Sequence, residues 1–286
     1  MKRLSDISTI REIMEKNGFS FSKALGQNFL INPSVCPRMA QMSGAADAAG
    51  AIEVGPGIGV LTYELSQVAK KVVSIELDKR LLPVLDETLG GCDNVKIIND
   101  DVMKIDLHRV IEEEFGGKEV AVCANLPYYI TSPVIMRLLE ERLPITSVTV
   151  MVQKEAADRL CAKPGTRACG AVSAAVQYYA EPEILFDVSR GSFMPAPNVD
   201  SAVIRLKIRK TPAVEVTDEK LFFRLVKAAF AQRRKTAVNS VSNTTGLKKQ
   251  SVTDAFIASG IEPNARAEAL TLEQFAALAN CLASAN

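Results

Sequence analysis

The sequence has no tryptophan and a single histidine, His108, and its six cysteines, at positions 36, 92, 123, 161, 169 and 281, include no C-x-x-C pair. Zinc sites and disulfide frameworks need clustered or regularly spaced Cys and His, so no metal is expected and the thiols are expected to be reduced and buried. Long apolar runs are also missing: each is strand-sized and broken by charge or proline, which excludes a membrane-spanning helix. The amino-terminal MKRLSDISTIREIMEK is charged and amphipathic and lacks the apolar region of a signal peptide, so the expectation is a soluble chain that stays in the cytoplasm. Neither sign of charge dominates, with a formal net of +1, and no glycine-rich segment ends in GK[ST], which excludes a P-loop.

What is present is a chain of 286 residues, 48% hydrophobic, enough to bury the core of one large or two smaller domains. Its most distinctive stretch is VCANLPYYI, Val122 to Ile130. A short apolar strand breaks at Asn125, passes through Pro127 and resumes as an amphipathic helix after Thr131-Ser132-Pro133. Such a strand end presents a planar amide, main-chain carbonyls at Leu126 and Pro127, and the ring of Tyr128. These groups fit the edge and face of an amino-bearing base. An amino nitrogen conjugated to a ring is a poor nucleophile because its lone pair is delocalised. Two acceptors on its hydrogens, the Asn125 side-chain oxygen and a carbonyl at Leu126 or Pro127, favour a pyramidal nitrogen and free that pair, while Tyr128 stacks on the ring. The competing reading is plain turn chemistry before a proline.

Upstream, Ala51 to Val54 reads as a strand ending in EVGPGIG, where glycines at 55, 57 and 59 allow a sharp turn and close approach to a ligand before a helix from Val60. The dinucleotide fingerprint spaces its third glycine one residue further on. The next strand ends at Glu76, and an acid about 20 residues past such glycines suits the two hydroxyls of a ribose. A third strand, Val95 to Ile98, runs into Asp100 and Asp101. Asp101 is the candidate acceptor for an adenine amino group, unless the pair only caps the following helix. Four successive strand ends thus carry polar groups on the edge of a parallel sheet where open α/β folds bind ligands. Between Phe19, Phe21 and Phe29 lie Lys23, Gly26, Gln27 and Asn28, either a lid over that edge or an ordinary loop.

A fifth strand, Ser147 to Val152, precedes the helical stretch QKEAADRL, where Lys154 and Arg159 read as surface charges, and Ala171 to Tyr179 reads as a buried helix. Two late segments, Ile184 to Val188 and Ser201 to Ile208, suggest an antiparallel terminal hairpin. They flank GSFMPAPNVD, in which Phe193, stiffened by Pro195 and Pro197, is expected as an exposed aromatic and a second stacking platform opposite Tyr128. The boundary falls at Lys210 to Ala213, giving domains 1–210 and 211–286. Helices are expected from Asp218, Thr236, Lys248 and Leu272, with Gly246 as a stop. From Arg205 onward there are 13 basic and 7 acidic residues, a balance of +6, against 21 and 26, or −5, before it. The sharpest basic cluster, Arg233, Arg234 and Lys235, is read as a phosphate contact, with the three fanned around a helix.

Together KALGQNFL, EVGPGIG, IELD, NDDVMKID, NLPYYITSP, MVQKE, FMPAPNVDSAVIRL and FAQRRKT resemble the KsgA family of small-subunit ribosomal RNA adenine dimethyltransferases. The similarity runs in order from about Lys23 to the carboxyl-terminal helices. It implies an α/β, Rossmann-like, S-adenosylmethionine-dependent methyltransferase domain and a small all-α domain that helps grip RNA. By motif matching, the cofactor positions fall on Asn28, Leu30, Gly55, Glu76, Asp101 and Asn125; the catalytic candidates are those read from the residues above, Asn125, Leu126, Pro127, Tyr128 and Phe193. The implied target is a pair of adjacent adenines in a hairpin loop near the 3′ end of the small-subunit RNA, within a maturing particle, each methylated twice. The chain is expected to act as a monomer, without metal or membrane. Rival readings are an Erm-type enzyme of large-subunit RNA, a DNA adenine methyltransferase, and an RNA-docking assembly factor without turnover.

Overall fold

The computed structural model of the protein describes residues 4–18 and 28–284. The lid reading of Phe19, Phe21, Lys23, Gly26 and Gln27 lies outside the described residues. By contacts the chain divides into two units, one of Met1–Ala157 with Glu183–Ile208 and one of Asp158–Pro182 with Arg209–Asn286. The boundary expected at 210/211 lies beside the return at Arg209. Residues 158–182 depart from that expectation and join the carboxyl-terminal helices, for a reason given below.

The first unit opens with α1 (Ile7–Lys16), β1 (Phe29–Leu30) and α2 (Val35–Met42). Alternating strands and helices follow: β2 (Ala51–Val54), α3 (Val60–Val68), β3 (Val72–Glu76), α4 (Leu82–Leu89), β4 (Val95–Asn99), α5 (Leu107–Phe115), β5 (Val120–Asn125), α6 (Thr131–Glu140) and β6 (Ile145–Gln153). All residues of β2 and β3 are buried, as central parallel strands covered on both faces require, and this is why they read as near-continuous apolar runs. After α7 (Lys154–Leu160) and α8 (Ala171–Tyr179) come β7 (Ala180–Val188), β8 (Phe193–Met194) and β9 (Ser201–Ile208). The seven-stranded sheet has the order β4-β3-β2-β5-β6-β9-β7. Its first five strands run parallel, and β9 lies antiparallel to β6, pairing Ser147 with Lys207 through Gln153 with Ser201. The expected strand at Ile184 begins four residues earlier, at Ala180, and so carries Pro182 within an edge strand, where proline is tolerated.

One face of the sheet packs on α2 and α3 through a cluster that includes Met39, Leu65, Val72 and Ala121. Gly59 starts α3 at φ +90°, and a side chain there would meet Leu89 at 3.1 Å, so both backbone and packing call for glycine.

In the second unit, α9 (Glu219–Phe230), α10 (Ala237–Thr245), α11 (Lys249–Ala258) and α12 (Leu272–Ser284) pack together with α8. Asp218 and Thr236 cap α9 and α10 as expected, accepting from the amides of Leu221 and Asn239, and Gly246 ends α10 at φ +75°. Tyr178 is fully buried with its ring 5.1 Å from those of both Phe222 and Phe223, and the hydroxyls of Tyr178 and Tyr179 donate to Glu219 at 3.1 and 2.7 Å. This aromatic cluster is what draws residues 158–182 to the carboxyl-terminal helices.

One carboxyl group is buried within the sheet. Glu53 in β2 is 1% exposed and accepts from Thr62 Oγ1 and Ser74 Oγ, each at 2.6 Å. Desolvation outweighs these two bonds and pushes its pKa from 4.5 up to about 7. The folded state therefore holds this proton through a range where the unfolded chain has lost it. The associated stability is present in full below pH 4.5 and is lost as pH rises to about 7, a total of about 3 kcal/mol. Glu53→Gln, neutral at every pH, should be more stable than the parent at pH 8, and the gap should shrink at pH 5. Denaturant unfolding at the two pH values measures this, and an equal gap at both would refute the burial argument.

Candidate active site

The carboxyl ends of β2, β3, β4 and β5 enclose a cavity of about 330 Å³, all of it within the first unit. Its floor is set by strand register. Val54 pairs with Ile75 on one side and Ala124 on the other, so the next residues, Gly55, Glu76 and Asn125, emerge side by side. All three line the cavity. Gly55 lies at φ +69° with nothing within 4 Å of where a side chain would begin, so the main chain is bare toward the cavity. Asn28 and Leu30 reach the same space from the amino-terminal side, because β1 pairs antiparallel with β8, Phe29 opposite Met194 and Leu30 opposite Phe193.

Two carboxylates stand at the β3 and β4 ends. Glu76 is buried and accepts from the Asp78 amide at 2.7 Å and from the amides of Gly57 and Leu77; burial raises its pKa and these bonds oppose the rise. A carboxylate has about four acceptor sites, so capacity remains for a hydroxyl. Asp101 accepts from the Met103 amide at 2.9 Å and faces Lys104 at 3.6 Å, while Asp100 accepts from the Asp101 amide at 2.7 Å. The helix that follows is capped by Asp106, which accepts from the Arg109 amide, so the capping alternative raised for this pair does not hold; among the described residues the side chains of Asp100 and Asp101 bond only within their own turn, and both line the cavity. The loop that bears them is braced by Arg137 of α6, which donates to the carbonyls of Val102 and Ile105 and pairs with Glu141.

At the β5 end, the Asn125 amide is partly buried and has no hydrogen bond to the described residues. The Pro127 carbonyl already accepts from the Ile130 amide at 3.1 Å and the Thr131 hydroxyl at 3.3 Å. That leaves the Leu126 carbonyl as the main-chain acceptor unclaimed by the turn. Tyr128 is anchored through its hydroxyl to Ser201 Oγ at 2.9 Å. Ser201 is fully buried at the start of β9, 73 residues away, and no local pattern marks it. Glu53, Cys36 and Tyr129 also line the cavity and were not anticipated there. Cys36 and Cys123 are buried thiols with pKa values raised by desolvation, so neither is an activated nucleophile.

Two expectations need correction. Phe193 is not exposed: at 4% accessibility it belongs to the core cluster with Leu30 and Cys36, because the β1–β8 ladder folds the amino-terminal segment over it. It contributes a wall of the cavity, not a free platform. Arg233, Arg234 and Lys235 are exposed as expected, but they sit in a turn between α9 and α10, so the fanning of a helix does not separate them. They belong to the second unit.

His108 lies on α5 with its ring nitrogen 3.0 Å from the Glu141 carbonyl, and it is not among the lining residues. Among the described residues no group of His, Cys, Asp and Glu could hold a metal ion, and no helix is long and apolar enough to cross a membrane. All six cysteines are free.

The arrangement is thus a bare glycine turn, two carboxylates, an amide with no partner among the described residues and a tethered aromatic ring around one cavity, which can seat a nucleoside and present a second planar group to it. Comparison with known proteins gives the same direction. A family model described as ribosomal RNA adenine dimethylase matches residues 18–284. A curated protein of Geobacillus sp. (strain WCH70), named ribosomal RNA small subunit methyltransferase A, is 53% identical over 285 residues, covering 97% of this chain and 98% of the relative. Its namesake from Bacillus mycoides (strain KBAB4) is 51% identical over 286 residues, covering 99% and 98%. Among solved structures, the 23S rRNA methyltransferase ErmE superposes with a TM-score of 0.69 at 27% identity, covering 90% of this chain and all of that one. A dimethyladenosine transferase from Plasmodium falciparum superposes at 0.71 with 24% identity, covering 87% and 95%, and supports the fold. The chain belongs to the ribosomal RNA adenine dimethylase family.

Proposed function

We propose that this protein transfers methyl groups from S-adenosylmethionine to the exocyclic amines of two adjacent adenines in a hairpin loop near the 3′ end of small-subunit ribosomal RNA, twice on each. The observation that carries this reading is the Asn125 amide, which has no hydrogen-bond partner among the described residues, beside the Leu126 carbonyl that the turn leaves unclaimed, one strand away from the glycine turn. The likeness to curated small-subunit enzymes over almost the whole chain, against 27% identity to ErmE, favours the small subunit over the large.

The residues present fit the donor. Gly55 offers open backbone, Glu76 retains acceptor capacity for ribose hydroxyls, and Asp101 can take an adenine amino group while Leu77 and Met103 supply exposed apolar faces beside it. Asn28 and Leu30 close the side nearest β8. When bound, the donor supplies a methyl carbon on a positively charged sulfur, which needs no further activation.

The chain's own work is positioning. The Asn125 oxygen and the Leu126 carbonyl accept the two amine hydrogens and hold the lone pair on line, and fixed geometry of this kind contributes roughly 7 to 11 kcal/mol. Tyr128, kept in place by Ser201, stacks on the flipped base and returns about 1 to 3 kcal/mol of the unstacking cost. The nitrogen's lone pair forms the bond to the methyl carbon as the carbon–sulfur bond breaks and the sulfur leaves as a neutral thioether; the nitrogen then gives up one proton to solvent, so one hydrogen remains and one acceptor still orients it. Arg233, Arg234 and Lys235 contact RNA phosphates.

The reading is tested by incubating the protein with undermethylated small subunits, and in parallel large subunits, and labelled S-adenosylmethionine, then mapping nucleosides by mass spectrometry. Dimethyladenosine in the small-subunit RNA alone is expected. Label in the large subunit would favour the Erm-type alternative, and no label at all a docking protein. Asn125→Ala should slow transfer on the order of 100-fold at saturating cofactor; full activity would remove Asn125 from the chemistry. Ser201→Ala, which frees the Tyr128 hydroxyl, should cost about 1 kcal/mol, or roughly fivefold in kcat/KM for the RNA particle, and leave cofactor affinity alone. Replacing Arg233, Arg234 and Lys235 with Ala should weaken RNA binding and flatten its salt dependence. An unchanged slope would mark that turn as ordinary surface.

A further inference from the structure

Three of the large hydrophobic side chains that the described residues leave exposed border the cavity: Leu77, Met103 and Tyr129. Single exposed apolar groups are common on proteins and need no explanation. Tyr129 differs in position and in chemistry. Leu77 and Met103 follow the two acidic strand ends, beside Glu76 and Asp101, where the donor's base has its place. Tyr129 follows the acceptor groups Asn125 and Leu126, is 59% exposed, and has no hydrogen bond to the described residues. Among the described residues no aromatic ring stacks on it and no cation lies over it.

The turn that carries it explains why it cannot share the role of Tyr128. Tyr128, Tyr129 and Ile130 form a single 3-10 turn, in which successive side chains diverge by roughly 120° because three residues complete a turn. With Tyr128 tied to Ser201 at 2.9 Å, Tyr129 is directed away from it and toward solvent at the cavity rim. The turn therefore offers two aromatic faces in two directions, one fixed and one open.

We infer that Tyr129 stacks on the nucleotide next to the adenine being methylated. This deepens the proposed reaction and rests on that reading of the cavity. When one of two neighbouring adenines is flipped out, the stack between them is broken and the face of the remaining base is left bare. An exposed ring at the mouth through which the flipped base enters can cover that face, and such base-aromatic contacts are sequence-tolerant because every base has a π-face. Tyr129 acts on the neighbour, and the amine in the cavity is handled by Asn125, Leu126 and Tyr128.

The test uses the whole protein and small subunits reconstituted with ribosomal RNA in which one of the two adenines is an abasic ribose, the other being the target, beside unmodified particles. On unmodified particles Tyr129→Ala should lower kcat/KM for the particle by about 5- to 150-fold while calorimetric affinity for the cofactor stays at the parent value. Tyr129→Phe, which keeps the ring, should rescue most of that loss. The abasic neighbour should slow the parent protein to a similar degree and leave Tyr129→Ala no slower than before, since the two changes remove one contact. Parent-like kinetics of Tyr129→Ala would overturn the inference. So would losses that add, which would place the ring against something other than the neighbouring base, such as a ribosomal protein. Absence of adenine methylation by the parent protein on unmodified particles would instead overturn the function proposed above, and is read before any variant is compared.

Discussion

Two rungs of a parallel ladder govern this molecule. Because Val54 lies opposite both Ile75 and Ala124, the three strands end at one level, and the groups that follow them meet at a common edge. A shift of one residue in either pairing would turn every side chain of that strand to the other face and move Glu76 or Asn125 out of the cavity. Burial of β2 and β3 at every position penalises such slips, so the hydrophobic core is what holds the polar groups in register. The first unit spends its packing on the precision of a few residues beyond the ends of its strands.

The same organisation decides how far the sequence could be read. Strands β2, β3 and β5 were legible because each is an apolar run closed by a polar signal, and the glycines at 55, 57 and 59 announced the turn that follows β2. The caps at Asp218 and Thr236 and the stop at Gly246 were legible because capping is a local affair. The two-residue ladder between β1 and β8 was not, since two residues have no period and their partners are more than a hundred and sixty positions apart. That ladder is also why Phe193 is buried, against the exposure its proline-rich setting suggested. The bond from Tyr128 to Ser201, and the brace from Arg137 to the Val102 and Ile105 carbonyls, were hidden for the same reason: both join segments whose proximity is a product of the finished sheet. Residues 158–182 were assigned to the wrong side because a buried helix looks alike whichever core receives it, and only the rings of Phe222 and Phe223 show where Tyr178 belongs.

Electrostatics separates the work of the two units. The cavity is bordered by Glu53, Glu76, Asp100 and Asp101, and among the described residues no basic side chain lines it. An acidic cavity suits a donor whose reactive centre is a cation, and it leaves a phosphodiester chain without a counter-charge there. The formal charge balance is +6 from Arg205 onward against −5 before it, which agrees with the proposal that phosphate contacts lie in the carboxyl-terminal part. On the proposed reading, base recognition in the first unit is left to groups that carry no net charge: an amide, a main-chain carbonyl and tyrosine rings. Neutral groups of this kind discriminate by shape and hydrogen-bond geometry and are insensitive to salt, whereas contacts between basic side chains and a phosphate backbone are blind to sequence and weaken as salt rises. On that reading, selectivity for an adenine amine and affinity for RNA fall to different residues of this chain, and the two can change independently.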